Sequence, residues 1–166
     1  MKDPSTGRRL GLPSLGPRGE GWLALQVIAF GAVVGAGLAG PRWGASATPW
    51  RELAAGAAGL LGAALAVAAG VELGDQLTPF PRPVKDGQLR DRGAYALARH
   101  PIYGGVLLLG LAFALATSPL ALGPVAAGAA LLELKRRVEE AFLLRQHPSY
   151  EQYRRRVRWR LLPFLW

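Results

Sequence analysis

The chain contains no cysteine, which excludes disulfide bonds, thiol chemistry and metal sites built from thiolates. Acidic residues are also few, since 11 Asp and Glu stand against 20 Lys and Arg and give a formal charge of +9. Nucleic-acid binding is a common reason for so basic a chain. That class is excluded here because long uncharged apolar segments interrupt the basic residues. The pattern is instead typical of a membrane protein whose charges lie in its loops.

Four apolar segments predict an all-α, polytopic membrane fold with about four transmembrane helices, at 21–40, 53–71, 95–116 and 120–134. The first two segments are about 20 residues long, which is enough for a helix to cross about 30 Å of hydrocarbon. The last two are separated only by Thr117-Ser118-Pro119, so we expect an antiparallel helical hairpin. Because these two are short for full spans, a tilted or re-entrant hairpin is the alternative.

The distribution of basic residues predicts the orientation of these helices. Only Arg42 and Arg51 lie in the first loop, and the turn at 117–119 has no basic residue. All other Lys and Arg residues lie in the tail at 1–20, in the second loop or in the region 135–166. The positive-inside rule therefore places both termini in the cytoplasm. The Ala-, Gly- and Arg-rich composition favours location in a bacterial cytoplasmic membrane. We expect residues 1–166 to form one domain.

The region 135–166 is predicted to form amphipathic helices in the cytoplasm or at the membrane interface. Glu133 and Arg137, and also Arg136 and Glu140, are spaced for ion pairs across one helical turn.

Small residues recur at four-residue spacing in the first two apolar segments. Such faces allow helices to approach closely in lipid, so we expect both to pack within the bundle. The two faces are Gly31, Gly35 and Ala39, and Gly62, Ala66 and Gly70.

A cationic, aromatic and glycine-rich cluster, Arg99-His100-Pro101-Ile102-Tyr103-Gly104-Gly105, stands at the start of the third apolar segment. Ionisable side chains beside hydrocarbon are costly and tend to be functional. Pro101 favours the start of a helix at this point. The two glycines remove side-chain bulk, which permits close approach of a ligand or of another helix.

Two adjacent glutamates, Glu139 and Glu140, form the second unusual cluster. Adjacent side chains on a helix diverge by about 100°, so the two carboxylates cannot face one ligand together. We expect one to pair internally with Arg136 while the other points into a site. The sequence shows no metal-ligand spacing, phosphate-binding loop or nucleophile–base pair.

Three elements together resemble the isoprenylcysteine carboxyl methyltransferase family, which is grouped with phospholipid N-methyltransferases among small integral-membrane methyltransferases. These elements are Arg99-His100-Pro101-x-Tyr103-x-Gly105, then Glu139-Glu140-x-x-Leu143, then Tyr150-x-x-Tyr153-x-x-x-Val157 with Pro163. The resemblance covers roughly residues 80–163. It implies S-adenosylmethionine-dependent methyl transfer to a lipophilic acceptor, such as the carboxylate of a prenylated cysteine or of another lipid.

The resemblance also implies roles for individual residues. The cofactor pocket would be lined by His100, Tyr103, Gly104, Gly105, Glu139 and Glu140. Arg99 and Arg160 would be catalytic residues where cofactor and acceptor meet, and Arg158 and Tyr153 would contact the acceptor. The segment from Val157 to Pro163 departs from the family's usual ending by one residue, so the choice between Arg158 and Arg160 stays open.

Elementary chemistry is consistent with a carboxylate acceptor. A carboxylate is already ionised at neutral pH, so its methylation requires no general base. Two alternatives stay open: a phospholipid or small-lipid N-methyltransferase, and a non-catalytic membrane protein whose basic tail binds anionic lipid. The expected partners are a lipophilic or prenylated substrate and membrane lipids.

Overall fold

The computed structural model describes residues 13–44 and 48–166, and across these ranges the chain is helical, with no strand. Most of the predicted tail at 1–20, including Lys2, Arg8 and Arg9, lies outside the described residues. The described residues form six α-helices in chain order: α1 (Glu20–Ala39), α2 (Thr48–Leu73), α3 (Ala94–Leu97), α4 (Pro101–Thr117), α5 (Leu122–Gln146) and α6 (Tyr150–Arg156). Short 3-10 turns at Gly74–Gln76 and Pro119–Ala121 extend α2 and precede α5.

Two helices are long and apolar enough to cross a membrane, at Glu20–Ala39 and Pro49–Gln76. Both expose large apolar side chains, among them Val27, Ile28, Leu38, Leu60, Val67 and Val71. Exposed apolar surface of this extent is unusual in a soluble protein and suits contact with lipid. Helix α4 is apolar but has only 17 residues, which span about 25 Å. The part of the fold that the structure establishes is therefore an all-helical chain with two candidate membrane-spanning helices.

The third predicted segment, 95–116, is not one helix. It divides into α3 and α4, with an extended break at Ala98 and His100. The break has two causes: Pro101 disfavours helical backbone at the residue before it, and the backbone N–H groups of Arg99 and His100 bond to a distant part of the chain. The fourth predicted segment differs in the opposite way, since α5 continues without interruption from its apolar half into its charged half.

Helix α4 lies at the centre of the bundle and packs against α1, α2 and α5. Its closest approach is to α2, where Gly105 faces Gly62 and Ala66. A Cβ atom added at Gly105 would lie 2.7 Å from the carbonyl oxygen of Gly62 and 2.8 Å from the backbone nitrogen of Ala66. The predicted packing of the Gly62 face is thus confirmed at Gly62 and Ala66.

The packing predicted for the Gly31 face is wrong. Gly31, Gly35 and Ala39 are exposed, and no other group lies within 4 Å of a Cβ added at either glycine. Helix α1 instead contacts its neighbours through Val33 and Gly37, which are buried. Gly37 lies beside Phe113 of α4, so a large aromatic ring replaces the close backbone contact expected of a small-residue face. In the described ranges α1 packs mainly against α5, whereas α2 packs against α4, and α1 and α2 do not pack against each other.

Candidate functional site

The two clusters singled out in the sequence meet in space, and the last residues of the chain hold them together. The backbone N–H of Arg99 donates to the carbonyl of Trp159 at 3.0 Å, and that of His100 donates to the carbonyl of Arg160 at 2.8 Å. This short ladder joins the start of α4 to the segment that follows α6. The Arg99 side chain strengthens the same junction, since one terminal nitrogen donates to the carbonyls of Val157 and Arg158 at 2.8 and 3.0 Å.

Glu140 lies at the centre of a buried charge network. Its Oε1 accepts a hydrogen bond from Arg99 Nε at 2.8 Å and lies 3.3 Å from His100 Nε2, and its Oε2 lies 2.9 Å from Arg136 Nη1. Burial by itself raises the pKa of this carboxyl, but the hydrogen bond and charge of His100 and the two guanidinium groups outweigh burial, so the net pKa is far below its ordinary value. Glu140 is therefore an anion at neutral pH and binds the start of α4, α5 and the C-terminal segment together.

Glu139 points in a different direction, as the divergence of adjacent helical side chains requires. Its Oε2 accepts a hydrogen bond from the Tyr103 hydroxyl at 2.6 Å and lies 3.7 Å from His100 Nδ1. The rings of His100 and Tyr103 stack, with centroids 5.5 Å apart. One glutamate thus pairs internally with Arg136, as predicted, while the other faces a cavity.

The charge network continues along α5 beyond Glu140. Arg136 also donates to both carboxylate oxygens of Glu133, at 2.8 and 2.6 Å, and Arg137 Nε lies 3.0 Å from Glu133 Oε1. Both ion pairs expected from the sequence are therefore present. Arg160 approaches Glu133 Oε1 at 3.8 Å, whereas the Arg158 side chain is exposed to solvent. Of the two candidate arginines, only Arg160 joins the network through its side chain.

Gly104 and Gly105 are buried, but their closest neighbours are protein backbone. A Cβ added at Gly104 would overlap the carbonyl oxygen of Leu161, just as one at Gly105 would meet the backbone of α2. The two glycines therefore allow α4 to contact the C-terminal segment on one side and α2 on the other. The structure gives them this packing role, and their contact with a cofactor stays a prediction.

A cavity of about 450 Å³, here called the central cavity, lies beside Glu139. Residues from α1, α2, α4 and α5 and from the second loop line it, including Gln26, Leu73, Tyr95, His100, Tyr103 and Lys135. A second cavity of about 390 Å³, the apolar cavity, lies between α1, α4 and α5, with Phe30, Val33, Phe113 and Val125 among its lining residues. Val106 lines both cavities, so the two lie next to each other.

A smaller space of about 100 Å³, the loop cavity, lies under the second loop, and Glu139 lines this space as well. Arg99, Tyr95 and Tyr153 contribute to its wall. The Tyr153 hydroxyl donates to the carbonyl of Tyr95 at 2.7 Å, which ties α6 to α3. Tyr153, a predicted acceptor contact, thus presents its ring to the cavity while its hydroxyl is already bonded to protein.

Two residues near these cavities were missed at the sequence level. Tyr150 is 1% exposed, and in the described part of the chain its buried hydroxyl has no hydrogen-bond partner. Burial raises the pKa of this hydroxyl, so it keeps its proton and can donate to a ligand. Lys135 is equally buried and lines the central cavity. No sequence signal distinguished Lys135 from Arg136 and Arg137, the cations beside it, whereas Tyr150 belonged to the family motif without a role.

The residues around Glu139 fit the cofactor that the resemblance implies. S-adenosylmethionine carries a sulfonium and an ammonium, and Glu139 offers a carboxylate at the junction of two cavities. The rings of Tyr95 and Tyr103 suit a cation beside them. The free Tyr150 hydroxyl supplies a donor in the loop cavity, where a polar ligand atom would satisfy it.

Comparison of the chain with protein-family models gives no match, and comparison with curated proteins also gives none.

Proposed function

We propose that this chain is a membrane-embedded methyltransferase that uses S-adenosylmethionine and methylates the carboxylate of a lipophilic acceptor. The observation that carries the proposal is the position of Glu139. This carboxylate lines both the loop cavity and the central cavity, and the central cavity shares Val106 with the apolar cavity among the helices. A polar cofactor and an apolar acceptor therefore have separate approaches to one place.

In this proposal the protein crosses the membrane four times, with α1, α2, α4 and the apolar half of α5 as the spans. The support is the exposed apolar surface of α1 and α2 together with the bias of basic residues away from the first loop. Both termini then lie in the cytoplasm, and so do Glu139, Glu140 and the C-terminal segment. The cofactor reaches the loop cavity from the cytoplasm, while the acceptor reaches the central cavity from the bilayer, between α1 and α2.

S-adenosylmethionine, when bound, supplies a methyl group whose bond to sulfur breaks as a bond to the acceptor oxygen forms, so that no proton is transferred. The protein's main contribution is then alignment, which lowers the barrier by holding the reacting atoms in line. Glu139 holds positive charge of the cofactor. Tyr103 and His100 fix the direction of that carboxylate, since both contact its Oε2.

Arg99 and Glu140 act in this reaction as positioning residues. The Arg99 side chain uses its Nε to bind Glu140 and one terminal nitrogen to bind two backbone carbonyls. Of the two candidate arginines, Arg160 is the one whose half-exposed side chain approaches the charge network, at 3.8 Å from Glu133. It lines none of the three cavities, so we keep it as a candidate catalytic residue and assign it no contact with the acceptor carboxylate.

The test is methyl transfer by purified protein in lipid nanodiscs. The protein is incubated with methyl-tritiated S-adenosylmethionine and either N-acetyl-S-farnesylcysteine or a total bacterial lipid extract, and the lipids are then treated with base. Methyl esters release labelled methanol, whereas N-methyl groups keep their label. We expect base-labile label that is lost in Glu139→Gln and kept in Glu151→Gln, a control on α6 far less buried than the network. Base-stable label in the lipid extract would favour the N-methyltransferase alternative, and no label with either acceptor would contradict both.

A further inference from the structure

Lys135 is a buried cation that the proposed reaction leaves without a role. Its ammonium donates to the side-chain oxygen of Gln26 in α1 at 2.5 Å and to the carbonyl of Pro79 in the second loop at 2.7 Å. It also lies 5.3 Å from the centre of the Tyr103 ring. The residue is only 1% exposed, so these neutral groups replace nearly all of its water.

This ammonium has no ion-pair partner: in residues 13–44 and 48–166 no carboxylate oxygen lies within 4.0 Å of it. Buried charges in proteins are normally paired, because an uncompensated charge away from water is costly. The two hydrogen bonds use two of its three N–H groups. A third N–H donor is thus left at the wall of the central cavity, and the charge of Lys135 there is balanced only at longer range by Glu139, which lines the same cavity.

The walls of that cavity indicate what kind of anion would fit. Leu73, Ile102, Val106 and Leu132 line it near Lys135, and the shared Val106 connects it to the apolar cavity. A molecule with one negative headgroup and a long apolar chain matches this arrangement, with the headgroup at Lys135 and the chain among α1, α4 and α5. The carboxylate of the cofactor is the other possible anion, and the experiment below distinguishes the two.

We propose that Lys135 is a specificity-determining residue that binds the anionic headgroup of the lipid acceptor. The preference it creates is for negatively charged amphiphiles over neutral ones of the same shape. Under the proposed function, which this inference deepens, methylation of a carboxylate removes the charge that holds the acceptor. Lys135 therefore favours release of the ester product as well as binding of the acid.

The test uses N-acetyl-S-farnesylcysteine and its methyl ester, which differ in charge at one group. Their binding to the detergent-solubilised full chain is measured by tryptophan fluorescence, and S-adenosylhomocysteine binding is measured by calorimetry on the same samples. We expect the wild-type chain to bind the acid at least about tenfold more tightly than the ester, as one hydrogen bond between charged groups would give. Lys135→Met is expected to bind the two within about threefold of each other, with unchanged S-adenosylhomocysteine affinity.

Arg137→Met is the matched control, since Arg137 is an exposed cation on the same helix, and it is expected to keep the wild-type preference. The acid–ester comparison on the wild-type chain remains decisive even if Lys135→Met does not fold. Equal wild-type affinity for acid and ester would overturn the proposal, and so would an intact preference in folded Lys135→Met. Loss of S-adenosylhomocysteine binding in Lys135→Met with the preference intact would assign the ammonium to the cofactor instead. Failure of the wild-type chain to bind S-adenosylhomocysteine would count against the methyltransferase alone, because the lipid preference is measured separately.

Discussion

Replacement of Glu140 by glutamine tests the buried charge network most severely. In the wild-type chain this carboxylate faces the guanidinium groups of Arg99 and Arg136 at 2.8 and 2.9 Å, and its side chain is 8% exposed. Glutamine has the same shape but no charge, so it leaves two buried cations facing a neutral amide. Arg136 keeps Glu133 as a partner, whereas Arg99 keeps only backbone carbonyls.

The expected cost is set by the uncompensated charge of Arg99. Removing one partner of a buried pair typically costs about 3–5 kcal/mol. The lower end applies here, because the amide oxygen of glutamine still accepts one hydrogen bond and Arg136 remains paired. We therefore expect Glu140→Gln to lower the free energy of unfolding by about 3 kcal/mol. Glu151→Gln, the same chemical change in exposed pairs with Arg154 and Arg155, should have a far smaller effect.

The stability difference between wild type and Glu140→Gln should depend on pH, and the pKa of Glu140 sets the sign of this dependence. The pKa of Glu140 is lowered by folding from its ordinary value of 4.5. Its contribution to stability is therefore complete above pH 4.5 and is lost as the pH falls below that value towards the folded-state pKa. The stability difference between wild type and Glu140→Gln should be constant from neutral pH to about pH 5.5 and should shrink as the pH falls further.

The assay is unfolding in mixed micelles with increasing denaturing detergent, followed by circular dichroism. It is carried out at about pH 7, where the carboxylates are ionised, and repeated in acid for wild type, Glu140→Gln and Glu151→Gln. Equal midpoints for the two variants at neutral pH would refute the reasoning, because the network would then contribute no more than a surface ion pair. A difference that grows in acid would refute the assigned direction of the pKa change.

Three further predictions concern packing, topology and the free tyrosine hydroxyl. Gly105→Ala should lower the free energy of unfolding by about 1–3 kcal/mol in the same assay, because the added methyl meets backbone atoms of α2. Gly35→Ala, on the open face of α1, should be nearly neutral. Similar losses in the two variants would contradict the close contact between α2 and α4. In the cysteine-free chain, Gly44→Cys should react with an impermeant maleimide on intact bacteria and Lys85→Cys only after permeabilisation, and the reverse pattern would invert the proposed topology. Tyr150→Phe should leave the stability of the unliganded chain unchanged, because the hydroxyl has no partner in the described residues. It should weaken S-adenosylhomocysteine binding, measured by calorimetry, about fivefold to tenfold. A large loss of stability would instead show that the hydroxyl has a partner in the protein.

The helical elements were largely predictable, because long uncharged runs and proline positions act locally. Pro101 begins α4, and Thr117-Ser118-Pro119 ends it and leads into α5 through a hydrogen bond that the Ser118 side chain accepts from the backbone N–H of Leu120. The break between α3 and α4 was not predicted. It depends on hydrogen bonds from residues 99 and 100 to residues about 60 positions later, and no local pattern encodes such a contact.

The sequence singled out the two clusters that meet in space, but it did not indicate Lys135 or the free hydroxyl of Tyr150. The divergence of Glu139 and Glu140 followed from helical geometry alone, and their separate partners agree with it. The positions of Gly104 and Gly105 did not follow, because a missing side chain suits a ligand and a neighbouring helix equally well. Glu133 and Glu140 both form ion pairs with Arg136. The sequence spacing had indicated a pair of Glu133 with Arg137 only. The burial of Lys135 depends on Gln26 and Pro79, which lie more than 50 residues away.

Calorimetric titration of the detergent-solubilised chain with S-adenosylhomocysteine tests the central claim most directly. We predict binding of one equivalent per chain, with affinity lowered at least about tenfold by Glu139→Gln and unchanged by Glu151→Gln. The absence of binding to the folded wild-type chain, under conditions in which an established isoprenylcysteine carboxyl methyltransferase binds the same ligand, would contradict the account.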